Sequence, residues 1–262
     1  MADNLSSAPV WLDWATSMDG MFQQRVRLRQ HRKGYRFSID PVLLAYFVAS
    51  SGEPGSLLDL GTGCGVVPLL LAELWGRIDQ TPVVTGIERQ ESLVALAEEN
   101  VRLNQRESQV QILSHDLRQP LPGDLTPEIV TFNPPYHIPA QGSLSPNPER
   151  AAARHELHGT LEELLPSLLP VLHARTRVAL VYPAPGLPRL LSALAGLQLN
   201  LHRLRMVHPY VEQDASLVLV ECGASNRLPS IEPPLFLYTA PREYTEEASA
   251  FLKGNWTPPQ PS

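Results

Sequence analysis

The stretch SLLDLGTGCGVVPLLLAELW, residues 56 to 75, constrains the fold more than any other. Leu57 to Leu60 have strand character, Gly61 to Gly65 form a glycine turn, and Val66 to Trp75 continue as an apolar helix. A glycine turn between a buried strand and a helix is the opening unit of a doubly wound α/β sheet, because it lets the backbone meet a ligand at the helix N-terminus. The chain beyond Trp75 keeps that rhythm. Strands are expected at Val83–Glu88, Val110–Ser114, Ile129–Phe132 and Val178–Tyr182, with helices at Glu91–Asn104, Leu161–His173 and Leu187–Leu197. Strands alternating with helices give a parallel sheet covered on both faces. Two late strands, Leu201–His208 and Leu217–Glu221, predict an antiparallel closing hairpin.

Ahead of this core, RVRLRQHRKGYRFSID alternates Val26 and Leu28 with Arg27 and Arg29 and reads as a basic hairpin turning at Arg32-Lys33-Gly34. Asp40-Pro41 then predicts a helix start, with Asp40 as the cap, and VLLAYFVAS is apolar almost all round and therefore buried. The expected organisation is a loose arm over 1–20, one domain over 21–253 (hairpin and helix at 21–55, core at 56–253), and a disordered Pro-rich tail over 254–262.

Net charge bounds the partners. At −6 the chain is not coated with basic surface, yet Arg25, Arg27, Arg29, Arg32, Lys33 and Arg36 fall together with no acid among them. Alternation puts Arg27 and Arg29 on the strand face opposite Val26 and Leu28. With Arg32 and Lys33 they are candidate contacts to phosphates of a ligand, and the competing reading is a solvated edge strand whose charges discourage aggregation. No apolar run is long enough to span a bilayer, no secretory leader is visible, and the two cysteines, Cys64 and Cys222, have no metal spacing. A cytoplasmic protein without membrane or metal partners, a monomer or weak dimer, is expected.

Glu88 ends the strand after the glycine turn and can accept hydrogen bonds from the two hydroxyls of a ribose. A dinucleotide enzyme could use that layout, but G-x-G-x-x-G needs glycine where Val66 stands. G-x-G-x-G with Asp59 two residues ahead instead resembles the S-adenosylmethionine site of class I methyltransferases. That resemblance gives Gly61, Gly63 and Gly65 to the cofactor, has Asp59 meet its cationic end or order the turn, and makes Asp116, in HDL after the third strand, a partner for its adenine amine.

The stretch IVTFNPPY then acquires a purpose. In the doubly wound layout the fourth strand neighbours the first, so Asn133 leaves the sheet beside the glycine turn. An exocyclic amine is a poor nucleophile because its lone pair is delocalised. The Asn133 carboxamide oxygen and the Pro134 carbonyl can each accept one of its hydrogens and aim the lone pair, while Tyr136 stacks on a flat base. Holding donor and acceptor in line is worth about 7–11 kcal/mol without any nucleophilic residue. The prolines keep this clamp rigid.

GYRFSIDPVLLAYF, LDLGTGCG, FNPPY, ARHE at 153–156, VHP at 207–209 and EYTEE at 243–247 occur together in order. The set resembles the bacterial family of tRNA(Val) adenine-N6 methyltransferases, which modify the adenine beside the anticodon. The likeness spans roughly residues 21 to 250 and implies that Phe37, Ser38 and Asp40 close the methionine end of the cofactor pocket; Pro41 departs from the small residue frequent there. Arg154 and His155 read as a loop over the substrate cleft; RHELH is no zinc motif, since Gly159 replaces the second ligand. Two other readings stay open: methylation of a protein glutamine, for which 55 residues before the first core strand leave little room for a helical substrate domain, and a non-catalytic RNA-binding module of the same fold.

Overall fold

A computed structural model of the chain describes residues 16–32, 38–52, 55–76, 83–134 and 160–255. One side of the sheet is made of four parallel strands, β3 (Leu57–Leu60), β4 (Val84–Glu88), β5 (Val110–Ser114) and β6 (Ile129–Phe132), with β5 at the edge. Every residue of β3, β4 and β6 is buried, as expected of strands with helices on both faces. β7 (Arg177–Pro183) continues the parallel set, and β8 (Asn200–His208) with β9 (Leu217–Gly223) closes it. β9 inserts antiparallel between β7 and β8, so the order is β5-β4-β3-β6-β7-β9-β8, with β10 (Ser230–Ile231) and β11 (Leu235–Phe236) added parallel on β8. The doubly wound sheet and its closing hairpin are therefore present.

Helix α1 (Asp40–Ala49) is buried from Pro41 to Ala49, because it has cover on every side. With α2 (Val66–Gly76) and α3 (Glu91–Leu103) it packs one face of the sheet, in the same core as Phe22, Val26 and Leu28. Its Tyr46 ring stacks on Phe251 of the last helix at 4.3 Å and meets Phe22 edge-on at 5.9 Å. Arg25 reaches from the N-terminal hairpin to the carbonyls of Lys253 and Gly254, at 3.1 and 2.8 Å. The opposite face is covered by α4 (Leu161–Leu164), the 3-10 turns that follow it, and α5 (Leu187–Gly196).

Several local expectations change. The hairpin pairs β1 (Thr16–Met21) with β2 (Val26–His31), turning at Phe22–Arg25 with Phe22, Gln23 and Gln24 at positive φ. Val26–His31 is thus its second strand, the turn precedes it, and the expected arm already forms a strand from Thr16. TSMDGM hides this: Met18 is exposed and Gly20 has no side chain, so no apolar alternation marks the strand. The expected turn residues Lys33 and Gly34 lie outside the described residues. The single helix expected over 161–173 is one α-helical turn followed by 3-10 helix to Val171. Pro166 and Pro170 remove the N–H groups that a continuous helix would use. Asp40 is the first helical residue rather than the cap, which is Ile39. The body extends to Asn255, with Gly254 as the left-handed cap of the last helix, α6 (Glu246–Lys253).

Candidate active site

The glycine turn joins β3 to α2. Gly61, Gly63 and Gly65 all have positive φ, between 59 and 83°, which side chains with a Cβ adopt only under strain. Thr62 N–H donates to the Ile87 carbonyl at 2.8 Å, pinning the turn to the end of β4. No atom of the described residues lies within 4 Å of where a Cβ on Gly63 would stand, so among them the loop presents bare backbone.

Glu88 shapes this loop as well as facing it. Its Oε2 accepts the Gly63 N–H at 3.0 Å, and its Oε1 accepts the N–H groups of Arg89 and Gln90, each at 2.9 Å. A carboxylate has about four lone-pair directions, so a ribose diol would meet an anion already oriented by three donors.

Asp59 is almost fully buried in β3. Its Oδ1 accepts a 2.6 Å hydrogen bond from the Thr131 hydroxyl across the β3–β6 pair. Burial pushes its carboxyl up to about 7; the Thr131 and Thr62 hydroxyls pull it down and the charge of Glu88 raises it further. The Thr62 hydroxyl is itself buried and not aligned for a hydrogen bond of ordinary geometry. The hydrogen bond of Asp59 thus ties β3 to β6, and Thr62 is its neighbour from the glycine turn.

β6 delivers Asn133. Thr131 pairs with Asp59 and Phe132 with Leu60, so Asn133 emerges opposite Gly61, about 5 Å away across one strand spacing. Asn133 is half-buried and Pro134 buried. Tyr136 lies outside the described residues, as do Phe37, Lys33, Arg154 and His155. Ser38 Oγ accepts the Asp40 N–H at 3.3 Å at the start of α1.

Beyond β5 the structure adds partners that the sequence does not announce. Asp116 is gripped by the Arg118 guanidinium and accepts the Arg118 backbone N–H at 3.0 Å, with Arg89 3.9 Å away. The Arg118 hydrogen bonds hold its carboxyl down at about 2. It is an ionised acceptor at the expected strand end, but an adenine amine would have to share it with arginine. His115 donates its backbone N–H to the Glu88 carbonyl at 3.0 Å, and its Nε2 is buried without a partner among the described residues.

The basic hairpin is docked on α3. Asn104 pairs with the N–H and carbonyl of Arg27 at 2.9 and 2.7 Å, and Asn100 does the same for Arg29 at 2.7 and 3.0 Å. The backbone of this edge is therefore occupied. A helix linking two parallel strands runs opposite to them, so Asn104 and Arg27 lie towards the edge remote from the glycine turn. Arg27 and Arg32 are exposed, while Arg29 is half-buried with its Nε buried. Among the described residues expected to contact phosphate, Arg32 is the one that is exposed and lies on the site side.

The bare turn at Gly63, the oriented anion at Glu88 and the buried polar atoms of Thr62 and His115 fit S-adenosylmethionine. Among the described residues no three metal-ligating side chains cluster, and no helix is long and apolar enough to cross a membrane.

Comparison with known proteins agrees with this geometry. The methyltransferase small domain family matches residues 40–149. A tRNA1(Val) (adenine(37)-N6)-methyltransferase of Parabacteroides distasonis is 26% identical over 82% of this chain and 87% of its own. One from Proteus mirabilis is 36% identical over 49% of each chain. Among solved structures, a predicted O-methyltransferase of Agrobacterium tumefaciens superposes with a TM-score of 0.61 at 18% identity, over 82% of this chain and 96% of that one, a likeness of fold. Residues 40–149 carry the match to the methyltransferase small domain, and the chain has the fold of class I, S-adenosylmethionine-dependent methyltransferases.

Proposed function

We propose that this enzyme methylates the exocyclic N6 of an adenine in RNA, and that the RNA is a tRNA. The observation that carries the reading is the delivery of Asn133-Pro134 by β6 directly beside the glycine turn, held in register by the Asp59–Thr131 hydrogen bond. S-adenosylmethionine supplies a methyl on a sulfonium, a good leaving group. Asn133 Oδ1 and the Pro134 carbonyl accept the two N6 hydrogens and turn the nitrogen lone pair towards that methyl. With the cofactor bound, transfer would exchange the methyl's bond to sulfur for one to N6, and the surplus N6 proton would leave to solvent. Tyr136 stacks on the base by the chemistry of its position in the motif. Gly61, Gly63, Gly65 and Glu88 hold the cofactor, with Ser38, Asp40, Phe37 and Asp116 around it.

The names of the relatives support tRNA over other RNA. We take the enzyme to act as a monomer or weak dimer, and a tRNA substrate fits a cytoplasmic enzyme. Arg32, with Lys33, Arg154 and His155, takes the RNA backbone beside the cleft.

Nucleoside mass spectrometry of tRNA incubated with the full chain and S-adenosylmethionine should show N6-methyladenosine. Methylglutamine in a protein, with no methyladenosine in RNA, would replace this reading with the protein-glutamine one. RNA binding with no methyl transfer to either would leave a non-catalytic module.

A further inference from the structure

The motifs VHP and EYTEE play no part in the cofactor site, and the fold brings them together. β8 runs parallel to β6 and β7, so His208 at its end lies on the same edge of the sheet as Asn133. β11 lies along β8, and the Leu237 and Tyr238 N–H groups donate to the carbonyls of His208 and Pro209, each at 2.9 Å. β12 (Tyr238–Ala240) then pairs with β13 (Glu243–Tyr244). Three tyrosines end up in a row. Tyr238 stacks on Tyr244 at 4.9 Å with 27° between the rings, and Tyr210 lies 5.5 Å from Tyr238 on the other side. Tyr244, at one end, is 40% exposed, and Tyr210, at the other, is half-exposed.

The surroundings select the ligand. Glu212, Asp214, Glu243 and Glu246 are exposed on the segments that carry the rings, against one exposed cation there, Arg242 in the β12–β13 turn, and the nearby Arg205 is engaged by Glu247 at 2.6 Å. Such a surface, acidic on balance, disfavours a row of phosphates and offers π faces. The chemistry that fits is the uncharged face of an unpaired base, with its phosphate turned outward. β8 is three strand spacings from β6, on the order of 14 Å. That separation suits a nucleotide near the target in the same unpaired loop rather than the target itself.

We infer that Tyr210 and Tyr244, backed by Tyr238, form a stacking platform for an unpaired RNA base near the methylated adenine. This rests on the proposed RNA substrate. Base–aromatic stacking is tolerant of sequence and carries no counterion release, so it leaves a signature distinct from arginine contacts.

The test uses the full chain and an anticodon stem-loop RNA carrying a fluorescent purine analogue in its loop. Tyr244→Ala and Tyr210→Ala should each weaken binding by about 5- to 100-fold. The slope of log affinity against log salt and the affinity for S-adenosylmethionine should stay those of wild type, and the quenching of the analogue should fall. Tyr244→Phe, which keeps the ring, should restore both. Wild-type affinity and quenching in both alanine variants, while the wild-type enzyme methylates RNA, would overturn the platform and leave the methyltransferase reading intact. A loss accompanied by a flatter salt slope would also overturn it, since the contact would then be to phosphate. Absence of RNA methylation by wild type would instead bring down the reading on which the platform rests.

Discussion

The side chain of Asn100 makes a closed pair with the backbone of Arg29, accepting its N–H at 2.7 Å and donating to its carbonyl at 3.0 Å. Its second amide hydrogen goes to the carbonyl of Cys64 at 2.8 Å. One carboxamide, fully buried, thereby joins the hairpin, helix α3 and the glycine turn. Asn100→Ala leaves three backbone groups without that partner, at about 1–3 kcal/mol for each that stays dry. Urea unfolding should show a loss of several kcal/mol, and calorimetry a weaker S-adenosylmethionine affinity. Asn100→Asp keeps the acceptor but removes both donors, and should also loosen the cofactor. Wild-type values in both variants would make the link incidental.

Asp59 makes stability depend on pH in a stated direction. Its carboxyl titrates at about 7 when folded, against 3.8 as the reference, so the folded state binds a proton that the unfolded state has released. Its contribution is most favourable below about pH 4 and declines as pH rises to about 7, on the order of 1 kcal/mol per pH unit. Asp59→Asn keeps an acceptor for the Thr131 hydroxyl and cannot ionise. Urea midpoints of wild type should therefore fall relative to Asp59→Asn between pH 4 and 7. Parallel profiles would show that Asp59 is not ionising there.

Asn133 separates chemistry from binding. Asn133→Ala should hold S-adenosylmethionine with near wild-type affinity and lose about 10²–10³ in kcat, the usual loss for a preset polar partner. Single-turnover methyl transfer to tRNA measures this, and a change confined to KM would mean that the amine is oriented by another group.

The hairpin gives a contrast between two arginines. Arg32→Ala should flatten the slope of log tRNA affinity against log salt by about 0.7–0.9, the mark of one lost phosphate contact. Arg27→Ala should leave the slope unchanged, because Asn104 ties that part of β2 to the far end of α3. Equal effects of the two would place RNA along the whole strand.

The central strands were legible because parallel strands buried on both faces are short apolar runs bounded by turn residues. β6 begins and ends where its apolar residues do, and β5 begins at Val110 and runs one residue past Leu113. Gly61 to Gly65, Glu88 and Asn133 were legible because their chemistry forces particular residue types at strand ends. Asn100 gave no such sign. Within a helix an asparagine only lowers propensity, and its meaning lies in a strand about 70 residues away. Thr131 looked like an ordinary strand former until its hydroxyl met Asp59. The two-residue strands after residue 229 are too short to carry a period, and the tyrosine row exists only once they pair.

Helix α1 has an uncovered flank until α6 brings Phe251 onto Tyr46 and Arg25 clasps the carbonyls of Lys253 and Gly254. On the ribosome α1 is made early and α6 late, so this oily rod must wait for its lid through most of translation. A chain stopped before Glu246 would expose it permanently. Such a fragment would be prey for chaperones and proteases even though every residue of the glycine turn and the Asn133 clamp had already been made.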